Sequence, residues 1–175
     1  MGSFAAQSVL LEHSDLYAGV VLSGSTALDL LAAGLAQAEG PRGLEAFNAG
    51  FEQRTGYEWL SRDEDEVDAY VADPLCGFDL PDETVPSLFG AAATVADPSA
   101  LARIRADLPI LVVSGSADPL AGGGDLVQVL GQRYRDAGVT DVTVRVYDDA
   151  RHEVFNETNR DEVTRDVIAW IDAHR

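Results

Sequence analysis

The chain has 175 residues, with 12 Lys+Arg against 30 Asp+Glu and a formal net charge of −18. With 46% hydrophobic and 24% charged residues it has the composition of a globular domain, far from that of a disordered chain. All twelve cations are Arg, so no nucleic-acid partner is expected, and no apolar run approaches the ~20 residues of a membrane span.

The chain opens on an apolar helix over residues 4–16, with Ala5, Ala6, Val9 and Leu10 expected along its buried stripe. A short run over 19–22 and a second over 109–113 are β-rich, continuous and closed by Ser-Gly-Ser. Such runs suit parallel strands covered on both faces. Between them lies an insert over 26–107, too long for a structureless connection. Within it Ser61 and Glu64 have the spacing of a capping pair ahead of a helix with Val67, Tyr70 and Val71 on its apolar side. Asp63 to Glu66 crowd the first turn of that helix, where the dipole favours acids. Aromatics concentrate in the insert: Phe47, Phe51, Tyr57, Trp59, Tyr70, Phe78 and Phe89. After the second strand come a helix over 126–134 and an alternating strand over 142–147 suited to a sheet edge. A last helix opens at Asn159, with Glu162 as its capping partner and Val163, Val167, Trp170 and Ile171 at helical spacing. The order of elements predicts an α/β fold with a parallel sheet.

In such a sheet, ligands lie beyond the carboxyl ends of the strands. Asp118 follows the second strand and His152 follows the third. An Asp before Pro is ordinarily a turn residue, and a loop His is ordinarily just solvated. Their placement on consecutive strand ends, acid before base, is the orienter-and-base half of a nucleophilic triad. His13, on the first helix, and His174, in an end expected to fray, compete poorly. Gly122-Gly123-Gly124 lacks the Gly-Lys-[Ser/Thr] of a phosphate loop, and the Asp63–Glu66 acids lack the spacing of a calcium loop. No metal or cofactor is expected. Cys76 has no second cysteine to pair with and reads as packing.

Three segments carry a family resemblance. Pro-Ile-Leu-Val-Val-Ser-Gly-Ser-Ala-Asp-Pro-Leu (109–120) resembles the acid loop of the α/β-hydrolases of the monoacylglycerol lipase, lysophospholipase and serine aminopeptidase group. Residues 147–157, with Ala-Arg-His-Glu and then Asn-Glu, resemble its histidine loop. Trp59-Leu60-Ser61-Arg62-Asp63, Val67-Asp68-Ala69-Tyr70 and Asp73-Pro74-Leu75-Cys76-Gly77 resemble its lid. The resemblance implies a core helix and strand over 1–25, a helical lid over 26–107 and a C-terminal core over 108–175. It implies Asp118 as triad acid, His152 as base, and a small acyl ester or lipid-like substrate. Phe47, Phe51, Trp59 and Phe78 either line an acyl pocket or simply form the lid's core. Asp149 stands where the group usually has Gly and adds a negative charge near the base.

The nucleophile elbow Gly-x-Ser-x-Gly does not occur in these residues. In the group it is followed by the helix packed behind it, so Met1 and Gly2 resemble the two residues after the serine. Met1 then corresponds to the backbone donor of the oxyanion hole. The expectation is a C-terminal portion of a serine ester hydrolase, inactive alone, with an exposed sheet edge prone to self-association. A non-catalytic or vestigial binding module is the alternative. No targeting segment is visible, and a cytoplasmic location is expected.

Overall fold

Three strands form one parallel sheet at the centre of the structure, a computed structural model describing residues 1–39, 44–78 and 84–174. They are β1 (Val20–Ser23), β2 (Ile110–Gly115) and β3 (Val142–Tyr147), in the order β1-β2-β3. Val20 lies opposite Ile110, and Ile110 opposite Val142. Every residue of β2 is buried, which is why its sequence is a continuous apolar run and not an alternating one. Ile110 and Val112 face one core; Leu111 and Val113 face the other. Each such buried aliphatic side chain contributes about 1.5–3 kcal/mol.

The helices in chain order are α1 (Gly2–His13), α2 (Leu28–Gln37), α3 (Leu44–Phe47), α4 (Glu64–Ala72), α5 (Thr84–Gly90), α6 (Ala92–Ala96), α7 (Pro98–Leu101), α8 (Asp125–Asp136) and α9 (Arg160–Ala173). Phe4, Leu10 and Leu11 of α1 and Val127, Leu130 and Tyr134 of α8 share the larger core with the insert. Val163, Val167 and Trp170 of α9 close the opposite face against Leu111, Val113 and Tyr147. Helices α2 to α7 all lie between β1 and β2 in the chain. The insert is tied to the core at Asp29 of α2, whose carboxylate takes both terminal nitrogens of Arg133 of α8 at 2.6 and 2.9 Å. That bidentate bond and the Arg133 charge hold the Asp29 carboxyl below its ordinary range.

Several local expectations are corrected. The buried stripe of α1 is Phe4, Gln7, Leu10 and Leu11, whereas Val9 is exposed; Gln7 is buried because its amide donates to Ser25 Oγ and the Thr26 carbonyl. Strand β2 continues through Ser114 and Gly115, which still pair with Val146 and Tyr147. Asp63, not Ser61, caps α4, accepting from the Asp65 N–H, and Val71 points to solvent. Asn159 precedes α9, but its amide bonds the Glu162 carboxylate in place of the helix backbone. His174 is held by the Trp170 carbonyl and by Asp141, so the end of α9 is fastened.

Candidate active site

Asp118 lies three residues past the end of β2, in a turn that buries it completely. Its Oδ1 accepts the Leu120 N–H at 2.8 Å, and its Oδ2 accepts the Ser114 hydroxyl at 3.2 Å. The remaining partner of Oδ2 is His152 Nδ1 at 2.9 Å, across 34 residues of chain. A carboxylate only accepts, so this bond places a proton on Nδ1 and leaves Nε2 as the free acceptor of a neutral ring. No hydroxyl of the described residues hydrogen-bonds Nε2. The His152 side chain keeps 21% of its surface exposed, enough for a reacting partner to reach it.

Two close approaches set the position of the imidazole. Gly115 has no side chain because a Cβ there would overlap the Ala150 carbonyl; this is how the histidine loop lies flat on the end of β2. Gly24, just past β1, has φ +56°, and a Cβ on it would sit 2.8 Å from His152 Cε1. Asp149 also has a positive φ, of 58°, which accounts for a glycine preference at that position. Its N–H donates to Ser116 Oγ at 2.8 Å.

The outer side of the ring meets the insert. Trp59 is buried and its ring centroid lies 5.1 Å from that of His152. Phe47 packs behind Trp59 at 5.3 Å, and the Arg151 guanidinium covers Phe51. Phe78 stands apart and is 61% exposed. So the structure gathers Asp118, His152 and Trp59 into one site, with Phe47 and Phe51 supporting it. The Trp59 indole N–H is buried and has no hydrogen-bond partner among the described residues.

Met1 caps the start of α1, accepting from the Phe4 and Ala5 N–H groups through its carbonyl. Beside it an apolar groove of about 390 Å³ runs along Gly2, Phe4, Ala5 and Ser8 to Ala91. None of Phe47, Phe51, Trp59 and Phe78 lines that groove.

Sequence reasoning passed over Asn48, Glu58 and Glu157. Glu58 accepts from Thr55 N–H, the Thr55 hydroxyl, Gly56 N–H and Asn48 Nδ2, and Asn48 in turn holds the Trp59 N–H at 2.9 Å. Burial pushes the Glu58 carboxyl up, but these donors outweigh it and bring its pKa to about 2. Nothing in the local pattern marks a Glu in a polar loop as buried. Glu157, fully buried, was visible only as part of the Asn-Glu pair of the histidine loop. Among the described residues no group of three or more His, Cys, Asp or Glu is placed to hold a metal, and no helix is long and apolar enough to cross a membrane.

A family model described as serine aminopeptidase, S33, matches residues 1–159. A monoacylglycerol lipase of Mycolicibacterium smegmatis is 36% identical over 119 residues, covering 66% of this chain and 39% of that protein. A thermostable carboxyl esterase from Bacillus coagulans, solved with glycerol, superposes with a TM-score of 0.80 at 22% identity, covering 98% of this chain and 62% of that one. A Paleococcus ferrophilus monoacylglycerol lipase gives 0.70 at 22% identity, covering 99% of this chain and 65% of that one. The chain thus spans less than two thirds of the length of each of these proteins. With its parallel sheet, its flanking helices and that family match, the chain belongs to the serine aminopeptidase (S33) family of α/β-hydrolases.

Proposed function

We propose that the chain supplies the acid and base of a serine ester hydrolase of the monoacylglycerol lipase and lysophospholipase type. The observation that carries this reading is the 2.9 Å bond between His152 Nδ1 and the buried Asp118 carboxylate. Asp118 orients the ring and stabilises the imidazolium; His152 Nε2 takes the nucleophile's proton and returns it to the leaving alcohol. We place the nucleophile on a serine outside these 175 residues, since the elbow motif is absent from them and no hydroxyl of the described residues hydrogen-bonds Nε2. In that reading residues 26–107 are the lid, and in a longer chain, where the Met1 nitrogen is an amide, its N–H is the oxyanion donor at the start of α1. Trp59, backed by Phe47, forms the wall against which a small acyl ester or lipid-like substrate lies.

The empty Nε2 also favours a second reading for the chain by itself, a non-catalytic module, because loss of a triad serine costs about 10⁶-fold in kcat. Made alone, the chain leaves one side of β1 unpaired among the described residues, beside a groove lined by Ala6, Val9, Leu10, Tyr17 and Val21. Such an edge favours pairing with a second copy.

A serine-directed fluorophosphonate probe tests the proposal. The 175-residue chain is expected to stay unlabelled, and a longer chain with an in-frame Gly-x-Ser ahead of Met1 is expected to label in a His152-dependent way. Labelling of the 175-residue chain that disappears in His152→Ala would overturn the placement of the nucleophile. Labelling of the longer chain that survives His152→Ala would overturn the base assignment.

A further inference from the structure

His152 makes few bonds of its own. Its N–H reaches the Trp59 carbonyl at a long 3.3 Å, and among the described residues its side chain is fixed by Asp118 and by packing. The firm bonds belong to its neighbours. Glu153 N–H donates to the Leu60 carbonyl at 2.8 Å, and Arg151 N–H donates to Glu157 Oε1 at 2.8 Å. The same Oε1 accepts the Arg62 N–H at 3.1 Å, so one carboxylate oxygen joins backbone groups of the insert and the histidine loop. Glu157 Oε2 accepts Arg62 Nε at 2.8 Å and Thr158 N–H at 3.0 Å. The Arg151 guanidinium closes the ring by donating to the carbonyls of Glu58 and Ser61.

We propose that Glu157 is a positioning residue for His152, acting through the backbones of Arg151 and Arg62 to hold the imidazole between Asp118 and Trp59. The inference rests on His152 being the base, and it concerns where the ring is held, not what it reacts with. Every group facing Glu157 is a donor, so an acceptor-only side chain is required there. Burial opposes its charge, but Arg62 and the N–H groups of Arg151, Thr158 and Arg62 outweigh that and hold the carboxyl below its ordinary range. A simple fastening of the insert would need only the Arg62 pair. The bond to Arg151 N–H, one residue before the imidazole, is what carries the effect to the site.

The test compares Glu157→Gln, Arg62→Met and Asp29→Asn, the last cutting an insert–core ion pair distant in sequence from the histidine loop. The readouts are the downfield proton resonance of His152 Nδ1–H and amide hydrogen exchange, both on the 175-residue chain. In Glu157→Gln the Nδ1–H signal is expected to vanish by exchange with water. The Arg151 and Glu153 amides should exchange at least tenfold faster while those of β2 keep their protection. Arg62→Met should weaken the signal, and Asp29→Asn should lower stability with the signal intact. An unchanged signal in folded Glu157→Gln overturns the proposal, as does exchange that rises equally in β2. If Glu157→Gln does not fold, an unchanged signal in Arg62→Met overturns it. Probe labelling reads the enzyme assignment separately, so either reading fails without the other.

Discussion

Replacing Glu58 by Gln isolates one buried carboxylate whose contribution depends on pH. Glu58 is 7% exposed, and each of its oxygens takes two donors, Thr55 N–H and hydroxyl on Oε1, Gly56 N–H and Asn48 Nδ2 on Oε2. Its folded pKa of about 2 against an ordinary 4.5 is a difference of 4.5 − 2 = 2.5. At about 1.36 kcal/mol per pKa unit this corresponds to roughly 3 kcal/mol. The folded pKa is depressed, so this stabilisation is fully present above pH 4.5 and is lost as pH falls towards 2. Gln keeps one oxygen but turns an NH₂ onto donors, which costs about 1–3 kcal/mol for the groups left unpaired. Urea unfolding of both proteins at several pH values measures the gap directly. Glu58→Gln is expected to be less stable by roughly 3 kcal/mol at pH 7, with the gap shrinking steadily below about pH 4.5. Glu157 titrates in both proteins and cancels in the difference. A gap that stays constant down to about pH 2.5 would refute the reasoning.

Two further outcomes follow from the same geometry. Gly24→Ala puts a methyl group 2.8 Å from His152 Cε1 in a left-handed backbone; stability should fall by about 1–2 kcal/mol, and the His152 Nδ1–H resonance should disappear. A retained resonance would show that the ring does not depend on that close approach. Sedimentation of the 175-residue chain should show self-association that Val9→Lys, beside the open edge of β1, reduces; a concentration-independent monomer would count against edge pairing.

Legibility in the sequence followed the range of the forces involved. The strands were readable because burial on both faces requires a continuous run, as in Ile110 to Val113, and the edge strand because Arg145 is exposed between partly buried valines. The family match confirms the α/β-hydrolase resemblance drawn from the acid, histidine and lid segments. Helix caps were less legible. Ser61 looked like the cap of α4, but its hydroxyl accepts from Asp63 N–H and donates to the Asn156 carbonyl, a residue 95 positions away. The stripe of α1 was misread for a similar reason: Gln7 is polar, yet its amide finds two acceptors beyond β1 and so faces inward.

By itself the sequence determined the order of elements, the parallel sheet and the two residues past the strand ends, Asp118 and His152, because these depend on local periodicity and on chain order. Only the tertiary structure decided that these two meet at 2.9 Å, that Trp59 stands against the ring, and that Glu58 and Glu157 are buried acceptors around which the insert and the histidine loop are built. The Asp118–His152 and Arg62–Glu157 bonds join segments 34 and 95 residues apart, and the donors to Glu58 converge on it only through the turn of the chain between Asn48 and Glu58. A carboxylate is buried only where donors are turned onto it, and that orientation is set by the folded backbone, so its role becomes visible only in the fold.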